Sequence, residues 1–105
     1  MSLSRRLTDQ AFDDLDGLIQ FFDSRAVGLG EDVRLEVIAL LIRLAAQPFV
    51  CAAIDRPPRG RDVRQAITHR FPVLLLYEVF PAEILVLAVT HAKAHPRTWR
   101  RRLRP

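Results

Sequence analysis

The chain has a single cysteine, Cys51, in 105 residues. That excludes an intrachain disulfide and a CxxC metal knuckle, so the fold has to hold by burial alone. No uncharged apolar run reaches the roughly 18 residues that a membrane span needs. The opening residues Met1–Asp9 lack the apolar centre of a secretory signal. The expectation is a cytoplasmic protein with no membrane partner. Lysine is almost missing, with Lys93 alone among 16 cations. Aromatics make up 8% of the residues, which leaves few rings to stack on bases and gives sequence-selective RNA binding little support. There are no repeats, low-complexity tracts or interdomain linkers, so residues 1–105 read as one domain with a basic tail over 92–105.

What is present is apolar material and unevenly placed charge. Half of the residues are hydrophobic, enough for a packed core. Residues 1–50 carry eight acids against five arginines, whereas residues 51–105 carry four acids against ten arginines and Lys93. From His91 onward there are six cations and no acid. A basic C-terminal half points to an anionic partner: nucleic acid, an acidic peptide or an acidic protein surface.

The apolar material is concentrated between Phe71 and His91. Two runs, Phe71–Phe80 and Glu83–His91, are split by Pro81-Ala82 and read as a β-hairpin. Neither run alternates with period two, so both faces of the pair call for apolar cover. Upstream, Leu3–Leu7 is a short strand candidate. Thr8 or Asp9 is placed to cap a helix over 9–24 whose apolar stripe is Ala11, Phe12, Leu15, Leu18, Ile19 and Phe22. Asp13, Asp14, Asp16 and Asp23 fall on the opposite, solvated side. Gly28 and Gly30 mark a turn, and Glu31 and Asp32 open a second helix that Pro48 stops. Its stripe is Val33, Val37, Leu40, Leu41 and Leu44, widened by Leu35, Ile38 and Ile42. Pro57–Arg61 reads as an exposed basic loop, and Val63–Thr68 as a strand with Val63, Gln65 and Ile67 on one face.

The order β-α-α-β-β-β predicts an α+β fold. A short N-terminal strand and an αα-hairpin pack on one face of a small antiparallel sheet of three to four strands. The second face is then expected to lie open for a partner.

Several stretches together resemble the RelE/ParE family of type II toxin–antitoxin toxins, often labelled plasmid stabilization proteins. They are Leu7–Leu15, Leu44–Pro48, Arg64 with Arg70-Phe71-Pro72, Leu76-Tyr77-Glu78-Val79, Ile84–Lys93, and His95-Pro96-Arg97-Thr98-Trp99. The likeness spans residues 3–103. It implies a small toxin neutralised by a cognate antitoxin that wraps over it. The family has a branch that binds and poisons DNA gyrase, ParE, and a branch that cleaves mRNA on the ribosome, RelE.

Cleavage through the 2′-hydroxyl needs a proton acceptor, cations on the phosphate and a donor for the leaving oxygen. By the resemblance, the sheet cation of the RelE branch falls at Leu74, its preceding lysines near Gln65 and Ile67, and its tyrosine near Trp99; Lys93 alone matches a cation. The ParE-like reading is therefore preferred, and whether the chain is an enzyme stays open. If it is a ribonuclease, Arg64, His91 and Lys93 are the catalytic candidates. Target or antitoxin binding falls to Arg61, Arg64, Arg70, Lys93, Arg97, Trp99, Arg100 and Arg101. A nucleic-acid-binding module without toxicity is a further alternative. His91 and His95 have no third ligand nearby, so no metal is expected, nor any other cofactor. Tyr77 within its apolar run reads as core, and Trp99 as packing back on the core or stacking on a base.

Overall fold

Thr8 has extended backbone, and its hydroxyl accepts the Ala11 N–H at 3.1 Å, the side-chain cap that starts a helix. In the computed structural model, which describes residues 2–104, the strand before this cap is β1 (Ser4–Leu7) and the helix is α1 (Asp9–Arg25). The second helix, α2 (Leu29–Ala46), begins two residues before the acids that were expected to open it. Gly28 takes the left-handed conformation there, with φ at 91°. Asp23 supplies the cap from the end of α1, its Oδ1 accepting the N–H groups of Gly28 (3.0 Å) and Gly30 (3.2 Å).

Gly30 is therefore a helical residue and not part of the turn. It is buried at the crossing with α1, where a Cβ would stand 2.6 Å from the Ile19 carbonyl oxygen and 2.9 Å from Ile19 Cγ2. The two helices approach as closely as they do because this position has no side chain.

Three further strands follow: β2 (Val63–Ile67), β3 (Val73–Val79) and β4 (Glu83–His91). The sheet order is β1-β4-β3-β2. The β2–β3–β4 meander is antiparallel, while β1 joins β4 in parallel, which makes the expected α+β sheet a mixed one. Val73, Leu75 and Tyr77 of β3 and Ile84, Val86 and Val89 of β4 face the helical hairpin. There they meet Val33, Val37, Leu40, Leu41 and Leu44 of α2 and Ala11 of α1. The register explains the missing period-two pattern in β4. Leu76 lies opposite Ala88 but Tyr77 lies opposite Val86, so Leu87 is an extra residue. This bulge brings both Leu87 and Ala88 to the second face.

The second face is not open. A helical turn, α3 (Arg97–Arg100), and a 3-10 turn at Arg101–Leu103 fold back over it. Trp99 and Leu103, each 5% exposed, join Ile54, Val63, Leu74, Leu76, Leu87 and Ala88 in a second apolar cluster. The expectation of a bare face fails because a tail rich in arginine still contributes two large apolar side chains, four residues apart. A second departure is Phe12, which is 54% exposed. It follows Ala11 by one residue, about 100° around α1 from the buried stripe. Leu35 and Ile42 on the outer side of α2 are also exposed, since the hairpin has a sheet on one side only.

Gly30→Ala is expected to force α1 and α2 apart and to destabilise the fold by about 1–3 kcal/mol. Chemical denaturation will show this as a lower midpoint, whereas Gly17→Ala, in open space on α1, will raise stability by up to about 1 kcal/mol.

Candidate functional site

Arginines do two jobs around the C-terminal tail, and their partners tell the two apart. Arg61 stands at the end of the loop before β2. Its Nε and Nη2 donate to the two carboxylate oxygens of Glu78 at 3.0 and 2.7 Å, and its Nη1 donates to the Leu103 carbonyl at 2.7 Å. Glu78 is only 6% exposed, the one carboxylate in the apolar run of β3. The hydrogen bonds to Glu78 hold the Arg61 guanidinium above its ordinary pKa. A buried acid thus carries a cation that grips the tail by its backbone.

Arg102 forms the second grip. Its Nη2 donates to Asp14 Oδ1 at 2.9 Å, and its Nη1 donates to Asp14 Oδ2 and to the Leu87 carbonyl. Asp14 Oδ2 also accepts the Val89 N–H at 3.0 Å. The location has a structural cause. β1 pairs with β4 only as far as Val86, so the carbonyl of Leu87 and the N–H of Val89 fall on an edge that β1 no longer covers. Asp14 from α1 and Arg102 from the tail complete it. Arg100 makes the third grip, donating to the backbone carbonyls of Asp55 and Arg56.

The remaining tail cations point outward. Arg97, Arg101 and Arg104 border a cleft of about 820 Å³ between the tail, the 54–58 loop and the edge of β2. Arg56, Arg100 and His95 also line it, and its one carboxylate among the described residues is Asp55, 3.8 Å from Arg56. Such a concentration of fixed positive charge in a concave surface attracts anions.

The expected site residues divide along these lines. Arg97, Trp99, Arg100 and Arg101 gather at the cleft, with Trp99 turned inward as part of its floor and the Arg100 guanidinium 5.6 Å from its ring. Arg61 lies beneath the tail in its ion pair. Arg64 is on the helical side of β2, held by Asp62 at 2.9 Å and the Cys51 carbonyl at 2.6 Å, over the ring of Phe49. Arg70 is at the other end of the sheet, beside Asp32 and over the Phe71 ring. His91 Nδ1 accepts the backbone N–H of Lys93, whose side chain is exposed. Arg64 pairs across from Tyr77 and His91 from Val73, four positions apart along β3 or about 13 Å. The three catalytic candidates therefore do not converge. Among the described residues no group of three His, Cys, Asp or Glu side chains is placed to hold a metal. Among the same residues no helix is long and apolar enough to cross a membrane.

Tyr77 belongs to the core. It is fully buried and its hydroxyl donates to the Pro48 carbonyl at 2.9 Å. Burial, with Cys51 beside it, pushes its pKa upward from the usual value. The sequence pattern assigned Asp14 to the solvated side of α1 and gave Glu78 no role. A signal for Asp14 existed: it lies three residues after Ala11 and four before Leu18, on the margin of the buried stripe.

Neither a protein-family model nor a curated protein matches the sequence. Solved structures share the fold, two of them from toxin–antitoxin systems. A chain of the chromosomal ParDE TA system from P. aeruginosa superposes with a TM-score of 0.68 at 19% identity, over 88% of this chain and 98% of that one. A chain of the toxin–antitoxin complex RelBE2 from Mycobacterium tuberculosis gives 0.55 at 20% identity, over 87% and 99%. The fold expected from the sequence motifs is thus the fold of these toxin–antitoxin proteins, over nearly the whole chain.

Asp14→Ala leaves Arg102 and the Val89 N–H without their acceptor, and is expected to cost about 1–3 kcal/mol. Amide hydrogen exchange should quicken at Val89 and through the 97–104 tail before it does so in α2. Tyr77, the chain's one tyrosine, gives a separate optical test. Above about pH 10 the unfolded chain loses the phenolic proton that the native chain keeps. Stability is therefore whole below that pH and falls above it, by up to about 1.4 kcal/mol per pH unit. Phenolate absorbance should appear only with unfolding, and Tyr77→Phe should remove this contribution to the alkaline loss.

Proposed function

We propose that this chain is the toxin of a type II toxin–antitoxin pair, acting in the cytoplasm by binding and inhibiting DNA gyrase, and neutralised by a cognate antitoxin. The motif likeness to the RelE/ParE family and the match of nearly nine-tenths of the chain to chains of two toxin–antitoxin systems support the toxin reading. The observation that carries the ParE-like choice is the state of the second face. Leu74 and Trp99, where the ribonuclease branch needs polar groups, are 7% and 5% exposed in one apolar cluster. An indole exchanges no proton, and a leucine neither holds a phosphate nor accepts the proton of a 2′-hydroxyl. The outward arginines can attract an acidic surface without performing chemistry on it.

Induced expression in a bacterial host, paired with a supercoiling assay on purified gyrase, tests the proposal. Filamentation, a DNA damage response and loss of supercoiling activity are the expected results. A rapid stop in translation with cut transcripts would replace it with a RelE-like mRNA endoribonuclease. Normal growth together with salt-sensitive RNA binding would indicate a nucleic-acid-binding module.

A further inference from the structure

The outer side of the helical hairpin carries an apolar stripe that nothing among the described residues covers. On α2, Leu35, Ile38, Ala39, Ile42 and Ala46 lie within about 100° of one another around the helix. Leu35 and Ile42 are 52% and 50% exposed, Ala39 and Ala46 are exposed, and Ile38 is half-buried. The stripe runs about 17 Å along the axis, and from Leu35 to Ala46 it holds no charge. Phe12 widens it from α1. It lies two turns before Ile19, the residue that crosses Gly30, and so on the α2 side of α1 and level with the middle of α2.

The charges beside the stripe are ordered. Asp32, Glu36 and Arg43 all lie on the flank away from α1, with the two acids toward the start of α2 and the cation toward its end. Arg70 stands against the acids. Its Nη1 donates to Asp32 Oδ2 at 3.5 Å, and its backbone N–H donates to Glu36 Oε1. Two carboxylates against one guanidinium leave that end negative. Among the described residues Arg43 meets no carboxylate.

A second α2 laid antiparallel across the stripe, with Leu35 opposite Ile42 of the other copy, matches this order. Each Arg43 then falls between Asp32 and Glu36 of the other helix, about 3 Å along the axis from either. The same register sets Ile38 against Ala39, large against small, and opposes the two helix dipoles. A parallel pairing would face Arg43 with Arg43 and acids with acids. The pattern is thus self-complementary in one orientation, which is what a two-fold contact between identical surfaces requires.

We propose that the outer face of α2 is the contact of a symmetric dimer of this chain. Two hairpins stack with Leu35, Ile38 and Ile42 of each copy interleaved and the two Phe12 side chains near the two-fold axis. A seam of this length is smaller than a standard permanent interface, so the dimer is weak, with Kd in the micromolar range. The tail and its cleft lie across the sheet from the hairpin. Both copies therefore keep them free and turn them away from each other. The contact follows from the surface of α2 and does not rest on the toxin reading.

Sedimentation equilibrium of the full-length protein from about 1 µM to 1 mM tests it. A monomer–dimer equilibrium is expected, with amide resonances of residues 35–46 shifting on dilution. Ile42→Glu should raise Kd by about tenfold or more, with the unfolding midpoint unchanged because the side chain is exposed. Arg43→Glu and Asp32→Arg should each weaken self-association several-fold. An equimolar mixture of these two variants should associate more tightly than either alone, because the mixed dimer restores both opposite-charge contacts. A monomer throughout the range, an unchanged Kd for Ile42→Glu, or a mixture no tighter than its components overturns the proposal. A protein that stays monomeric, and whose α2 amides shift only with a synthetic amphipathic helix of Leu, Ala and Lys, would instead make the stripe a groove for a foreign helix.

Discussion

The fold depends on the fact that β3 has no polar face except at Glu78. Val73, Leu75 and Tyr77 need cover on one side and Leu74 and Leu76 on the other, and water is a poor neighbour to both sets. A two-layer protein with a bare second layer would expose a patch of the kind that invites aggregation. The αα-hairpin answers the first demand with a long apolar stripe. The second demand is met with far less material, an indole, a leucine and Ile54, so position matters more than bulk. Each polar device around the tail serves that placement.

Arginine is suited to the task. Its fork of donors can hold a carboxylate with one edge and a backbone carbonyl with another. Arg61 joins Glu78 to Leu103 in this way, and Arg102 joins Asp14 to Leu87. The same composition that gives the tail its positive charge therefore also fastens it. Of the tail arginines at the cleft, Arg97, Arg101 and Arg104 are left over from fastening, while Arg100 lines it and fastens as well. Net charge alone overstates how much of the tail is available to a partner.

Much of this was legible in the sequence. Hydrophobic spacing placed both helices, the strands and the stripe Val33, Val37, Leu40, Leu41 and Leu44, all of which are buried. The α+β order and the likeness to toxin–antitoxin folds also came through. The departures share a cause: they depend on contacts far apart in the chain. Asp14 looks solvated until a residue 88 positions away arrives beside it. Gly30 looks like turn punctuation until Ile19 crosses it. The tail looks too charged to be a roof, because periodicity weighs its arginines without seeing that Trp99 and Leu103 share one face. At the site, the composition located the basic end of the chain correctly but could not sort gripping arginines from outward ones, and it spread candidates such as Arg64 and Arg70 over opposite ends of the sheet.

The grip between Asp14 and Arg102 also has a meaning in time. Synthesis runs from the N-terminus, and the helical hairpin and all four strands are complete before the tail exists. Until Arg102 and Leu103 leave the ribosome, the bulged edge of β4 has no arginine on it and Leu74, Leu76 and Leu87 have no roof. A chain that lacked these last residues would have its helical side finished and its other side adhesive. Two apolar side chains near the very end of the chain thus decide whether the second face of the sheet is sealed or sticky.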